Sequence, residues 1–227
     1  MMWSMTPSRE HGPLPDFLVG LTVVSGLVDS FSYLTLGHVF VANMTGNVVF
    51  LGFALSGTGE VSVVDSLLAL LAFVFGAAIA GRIAAKRPPH RGHLLAAGAA
   101  AQALLVLIAA VTTSALHSTS VRLTLIALLA IAMGGQNAVV RRLGVPDLTT
   151  TVITRTVAGL VADSAARPVL ARRLASVTAL LTGALLGGTL LRWAPIGAPL
   201  WLAATLLLAC AAGVYRMTRG PAAEAWR

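Results

Sequence analysis

The chain has 227 residues, 57% of them hydrophobic and 11% charged, with a formal net charge of +8 and a mean hydropathy of +0.86. A soluble domain carries about 25% charged and 45–50% apolar residues, so this chain cannot cover itself with polar surface in water and the bilayer must be its solvent. The positive balance does not indicate nucleic acid. The basic residues sit in short loops between apolar runs, where they act as topology determinants, and no aromatic-rich basic face is present for stacking bases.

In chain order, Met1 to Pro15 is polar and contains Pro7, Pro13 and Pro15. It does not read as a signal peptide, because no basic start leads into a short apolar stretch with a small-residue cleavage site. Six runs are long enough to cross about 30 Å of hydrocarbon at about 1.5 Å per residue. They are Phe17–Gly37, Val63–Ala85, Leu94–Ala115, Val121–Leu143, Leu174–Leu191 and Leu200–Met217. Two shorter apolar stretches remain, Thr45–Ser56 and Val152–Ala162. Polar or turn residues precede each: Asn43 to Asn47 in one case, Pro146 to Thr151 in the other.

The chain repeats itself. Gly37, Gly52, Gly76, Gly81 and Pro88 recur 107 positions later as Gly144, Gly159, Gly183, Gly188 and Pro195, with no gap. Matches of Ala or Leu mean little in so apolar a chain; Gly and Pro fix backbone geometry and helix contacts. The short stretches occupy the same place in each copy. If both dip into the membrane and return, 13 of the 16 basic residues fall on one side, leaving Arg122 and Arg192 opposite and Arg155 inside the second stretch. If both cross, the basic residues divide almost evenly. Positive charge favours the cytoplasmic side, so the returning arrangement is expected.

The expected fold is therefore all-α integral membrane, with six transmembrane helices as two inverted three-helix repeats, each carrying a short re-entrant half-helix. The expected divisions are a cytoplasmic tail (1–16), repeat 1 (17–110), an external linker (111–123), repeat 2 (124–217) and a second cytoplasmic tail (218–227). Inverted repeats are a common transporter and channel plan, with the solute path where they meet.

Polar residues at membrane depth supply the candidate site. Asp29 lies within the first span, where a charge costs about 2.5–3.5 kcal/mol on insertion scales. It reads either as a proton- or cation-coupling carboxylate or as a packing device, neutral or paired with Arg155. Its repeat mate is Gln136, followed by Asn137. These form a polar seam, unless they serve only helix–helix hydrogen bonding. Asn43, Thr45 and Asn47, and Thr150 and Thr154 in the other copy, stand at the starts of the short helices. Unpaired N–H groups there attract anions or polar solutes, although Ser, Thr and Asn are also ordinary N-caps. Arg155, whose mate is Val48, could hold an anion, pair with Asp29 or snorkel to an interface. Gly76, Gly81, Gly183, Gly187 and Gly188 form small-residue faces for close helix packing, or for a homo-oligomer contact.

There is one cysteine, Cys210, so no internal disulfide forms, and the five histidines lie at span ends or in loops. No H-E-x-x-H, G-x-S-x-G, P-loop or C-x-x-C is present. Neither an enzyme, a metal nor a cofactor is expected. A lipid-modifying enzyme would need water and an acid–base pair near the headgroups, and Asp29 is too deep and too solitary for that.

The run Gly26-Leu27-Val28-Asp29-Ser30-Phe31-Ser32-Tyr33-Leu34, continuing to Val39-Phe40-Val41-Ala42-Asn43-Met44-Thr45-Gly46-Asn47, resembles the YoaK family of bacterial membrane proteins. Gly135-Gln136-Asn137-Ala138 and Leu148-Thr149-Thr150-Thr151-Val152-Ile153-Thr154 are similar to that family's second block. The resemblance covers nearly the whole chain. It implies six spans and residence in the bacterial inner membrane, and no established substrate, cofactor or catalytic residue. Arg155 departs from the family pattern, which there has a small or apolar residue. The sequence leads to a small-solute transporter or channel in the lipid bilayer, both ends cytoplasmic, with Asp29 as a proton-linked group. The alternative is a non-transporting assembly or lipid-binding scaffold whose seam only joins helices.

Overall fold

The computed structural model describes residues 13–58, 61–86, 90–115, 118–144 and 167–219. These form α1 (Leu14–Thr35), α2 (Met44–Leu55), α3 (Val63–Lys86), α4 (Arg91–Thr112), a 3-10 turn (Thr113–Ala115), α5 (Thr119–Leu143), α6 (Arg167–Trp193) and α7 (Ala198–Arg219), with no strand among the described residues. Six of the helices, all but α2, are long and apolar enough to cross a membrane. At 12 residues, or about 18 Å, α2 is too short. The second short stretch, with Thr150, Thr154 and Arg155, lies outside the described residues, as do residues 1–12 and 220–227.

All six expected runs are helices. The largest difference is at α6, which begins at Arg167 rather than at Leu174. Apolarity marks where a helix enters lipid. The backbone ladder continues beyond that point, and Arg172 and Arg173 can lay their stems along the helix while their heads stay wet. The duplication extends to element ends. Moved by 107 positions, α4 coincides end to end with α7, and α1 and α3 fall inside α5 and α6. Gly37 and Gly144, repeat mates just beyond α1 and α5, both take positive φ (+92° and +62°), the left-handed turn that closes a helix and suits glycine.

The most extensive helix pairings are α3 with α5, α1 with α6, and α4 with α7. The first two cross between repeats and are each other's duplicates. A Cβ on Gly26 of α1 would run into the Leu180 carbonyl and the Ala184 amide of α6. A Cβ on Gly134 of α5 would run into the Phe73 carbonyl and the Ala77 amide of α3. Leu180 and Ala184 are the repeat mates of Phe73 and Ala77, while Gly26 and Gly134 differ by 108 positions, so the same kind of backbone contact recurs with a one-residue shift. Glycine lets two helix backbones approach where any side chain would hold them apart. Gly183 and Gly187 meet Val23 and Ser30 of α1, and Gly76 meets Ile131 of α5. These three glycines are thus occupied within the chain, whereas Gly81 and Gly188 have open space around them among the described residues.

Polar contacts fix the helix directions. Arg122, near the start of α5, donates to the Leu36 carbonyl just past the end of α1 (3.2 Å), and Gln136, near the end of α5, donates to Ser25 Oγ (3.0 Å). Hence α1 and α5 run antiparallel. Arg122 also pairs with Asp65 in the first turn of α3. The end of α1 and the start of α3 therefore lie beside the same residue. Arg91 Nη2 donates to the Leu143 carbonyl (2.7 Å), capping the end of α5 from the start of α4. Lys86, Arg91, Arg141, Arg142, Arg172, Arg173, Arg216 and Arg219 gather at one end of the bundle, and Asp65, Arg122 and Arg192 at the other. Exposed apolar side chains such as Leu71, Val74, Phe75, Leu181 and Leu185 form the outer belt, as a lipid-facing surface requires.

Candidate functional site: the Asp29 hairpin

Past Leu36 the chain turns and runs back along α1. Val41 N–H and Ala42 N–H donate to Asp29 Oδ1 at 3.0 and 2.8 Å. Asp29 stands six residues before the end of α1, about 9 Å along its axis. The segment preceding α2 thus reaches that depth before α2 starts. An ionised carboxylate accepts backbone N–H bonds roughly twice as strongly as a neutral oxygen would. It also satisfies donors that no helix or strand partner reaches, which at membrane depth would otherwise cost several kcal/mol, on the order of the penalty for any unpaired polar group in lipid.

A second clasp closes the turn. Asn47, fully buried in the first turns of α2, accepts from Phe40 N–H (3.0 Å) and donates to the Phe40 carbonyl (2.6 Å). Its amide group thereby takes both hydrogen-bonding groups of one residue. Asn43 is the N-cap of α2, but its side chain makes no cap bond, and Thr45 is exposed. The rings of Tyr33, Phe40 and Phe50 stack, with centroids 4.9 Å apart for Tyr33 and Phe40 and 5.7 Å for Phe40 and Phe50. A Cβ on Gly46 would strike the Phe40 ring at 2.8 Å, so glycine makes room for the stack. The turn is thus tied to α1 through Asp29 and to α2 through Asn47, while α2 itself packs against α3.

A separate buried chain lies one helical turn earlier. Gln102 Nε2 donates to Gln136 Oε1 (2.7 Å), Gln136 Nε2 to Ser25 Oγ (3.0 Å), and Ser25 Oγ to the Leu21 carbonyl (3.0 Å). It joins α4, α5 and α1. Asn137 Nδ2 donates to the Met133 carbonyl one turn back (3.0 Å). Asp29, Asn43 and Asn47 are thus brought together in one cluster, and Gln136 belongs to another, four residues or about 6 Å away along α1. No described contact links Asp29 to Gln136. Thr150, Thr154 and Arg155 are outside the described residues.

Sequence reasoning passed over Gln102, Ser25 and the Asp65–Arg122 pair. Gln102 carried the signal already applied to Asp29, a polar side chain amid apolar ones at mid-span. Asp65 and Arg122 are opposite charges at the starts of two spans. The Val41 and Ala42 donors have no side-chain signature. Among the described residues, no group of three or more His, Cys, Asp or Glu could hold a metal ion.

Six apolar spans wrapped around buried polar clasps define a multi-pass α-helical membrane protein. The family described as "Protein of unknown function (DUF1275)" matches residues 17–213. The chain is also 36% identical over 147 residues to the "UPF0700 transmembrane protein YoaK" of Bacillus subtilis (strain 168). The chain belongs to this YoaK family. The match to the Bacillus protein spans 65% of each, so it covers less than two thirds of that relative's length. No solved structure matches.

Proposed function

We propose that this protein is a small-solute transporter or channel, with its path between two inverted repeats and Asp29 as a proton-linked latch. The observation that carries the reading is the bond between the Asp29 carboxylate and the Val41 and Ala42 amides. Intramembrane acids are costly and mark ion or solute paths. A carboxylate that clasps irregular backbone at depth has two states. Ionised, it accepts two donors at Oδ1; protonated, it loses acceptor strength and the hairpin loosens. That links proton binding to movement of α2. Non-helical backbone at such depth is tolerated only where protein or water surrounds it.

Three contacts support the architecture. Arg122 touches both the end of α1 and the start of α3, as expected if α2 enters and leaves on one side. Antiparallel α1 and α5, which are repeat mates, are what inversion of the second copy requires. The clustering of basic residues favours a bacterial cytoplasmic membrane with the start of α1 and the end of α7 inside. No enzymatic activity is assigned. Self-association through glycines would fall to Gly81 and Gly188, which none of the described residues covers.

The test is flux into liposomes for a panel of small polar solutes under an imposed pH gradient. The parent should respond to the gradient, and Asp29→Asn should carry flux without that response. Equal pH-dependent flux from both would reject the latch.

One observation favours a second reading, a scaffold with a dry seam: the side chains of Asn47 and Gln136 are both engaged by protein partners. Thiols introduced at Asn43 and Asn47, after Cys210→Ala, separate the two. Reaction with a water-soluble reagent supports a path, and silence at both positions supports the scaffold.

A further inference from the structure

At the basic end of the bundle, α4 and α7 part to leave a groove of about 770 Å³. Its walls are Ala97 and Ala100 of α4 and Ala211 and Ala212 of α7, and its mouth carries His93, Tyr215 and Arg219. The Arg219 guanidinium stands 4.4 Å over the Tyr215 ring, which holds the charge at the opening.

The duplication shows that the groove is a departure from symmetry. Helices α4 and α7 are repeat mates, so their pairing could be alike at both ends. At the far end, the mates of His93, Ala100, Ala211 and Ala212 are Leu200, Leu207, Leu104 and Leu105. Leu200 and Leu207 are fully buried there, whereas His93 and Ala100 are exposed. Buried Leu200 and Leu207 fill the α7 side of the far end, where Leu104 faces outward, whereas His93 and Ala100 leave the α4 side of the near end open. The volume lies within the ~300–1,000 Å³ typical of ligand pockets.

We infer that this groove binds one anionic phospholipid, with an acyl chain along the alanine walls and the headgroup phosphate at Arg219 and His93. The apolar walls suit a chain because they belong to a lipid-exposed belt. The mouth suits an anion because the bundle's positive charge gathers there, and a tyrosine beside an arginine at a helix end is the usual composition of a headgroup zone. The inference does not depend on transport.

Native mass spectrometry of the full chain, released from nanodiscs of equal phosphatidylglycerol and phosphatidylethanolamine, tests it. The parent should retain one phospholipid, with about a fivefold preference for phosphatidylglycerol, the bias one basic residue gives at an anionic surface. Ala100→Leu/Ala211→Leu, which copies the far end, should lose the retained lipid. Arg219→Gln, at an exposed position, should keep a lipid and lose the preference. Undiminished retention by the filled variant, or equal retention of both lipids by the parent, would overturn the inference. So would a parent dimer that the filled variant converts to monomer, since the groove would then be a contact between copies.

Discussion

Asp29 was legible in the sequence because its cost in lipid requires a reason. What it holds was not, since backbone amides look alike at every position. If the carboxylate is the clasp, Asp29→Ala should speed hydrogen exchange at Val41 and Ala42 while leaving Gln102 and Gln136 protected, as a local opening would. Unchanged exchange at Val41 and Ala42 would mean that the aromatic stack alone holds the turn. Gln136 lends itself to a double-mutant cycle with Gln102. The expected coupling is about 0.6 kcal/mol and not above about 2, the range for hydrogen bonds between membrane helices. Unfolding of Gln102→Leu, Gln136→Leu and the double variant in mixed micelles measures it. A coupling near zero would show that each amide finds other partners.

Among elements, the six spans could be read from composition and the half-helix from its shortness. Their neighbours could not. A run of small residues announces a close contact without naming the partner, and Gly183 with Gly187 suits a self-associating face as well as α1. The structure assigns both to α1 through Val23 and Ser30. Gly183→Leu should therefore destabilise the monomer by about 1–3 kcal/mol, the usual cost of overpacking. Gly188→Ala, five positions along in open space, should be neutral or slightly stabilising, because alanine favours helix. Thermal melts in detergent decide this. Equal melting shifts for both substitutions would argue against the α1–α6 contact. Thr150, Thr154 and Arg155 lie outside the described residues, and their roles remain expectations from the sequence.

For the molecule as a whole, the distribution of basic residues predicts which helix ends face the same side of the membrane. Single cysteines in a Cys210→Ala background would test it. Thiols at Asp16 and Lys86 should label from one face, and thiols at Thr58 and Ser118 from the other. Asp16 and Lys86 on opposite faces would require α2 to cross, and the inverted arrangement would fall with it.

The exchange of partners between duplicates also bears on how the protein is made. Helix α1 leaves the ribosome about 150 residues before α6, its main neighbour, and at ~5–20 residues per second that interval is about 8–30 seconds. During that time the nascent first half must shield the glycine surface around Gly26 by other means, with lipid or an insertion factor as stand-in. A gene cut between the codons for Ala115 and Ser118 should consequently yield two fragments that are degraded when made singly and survive when made together.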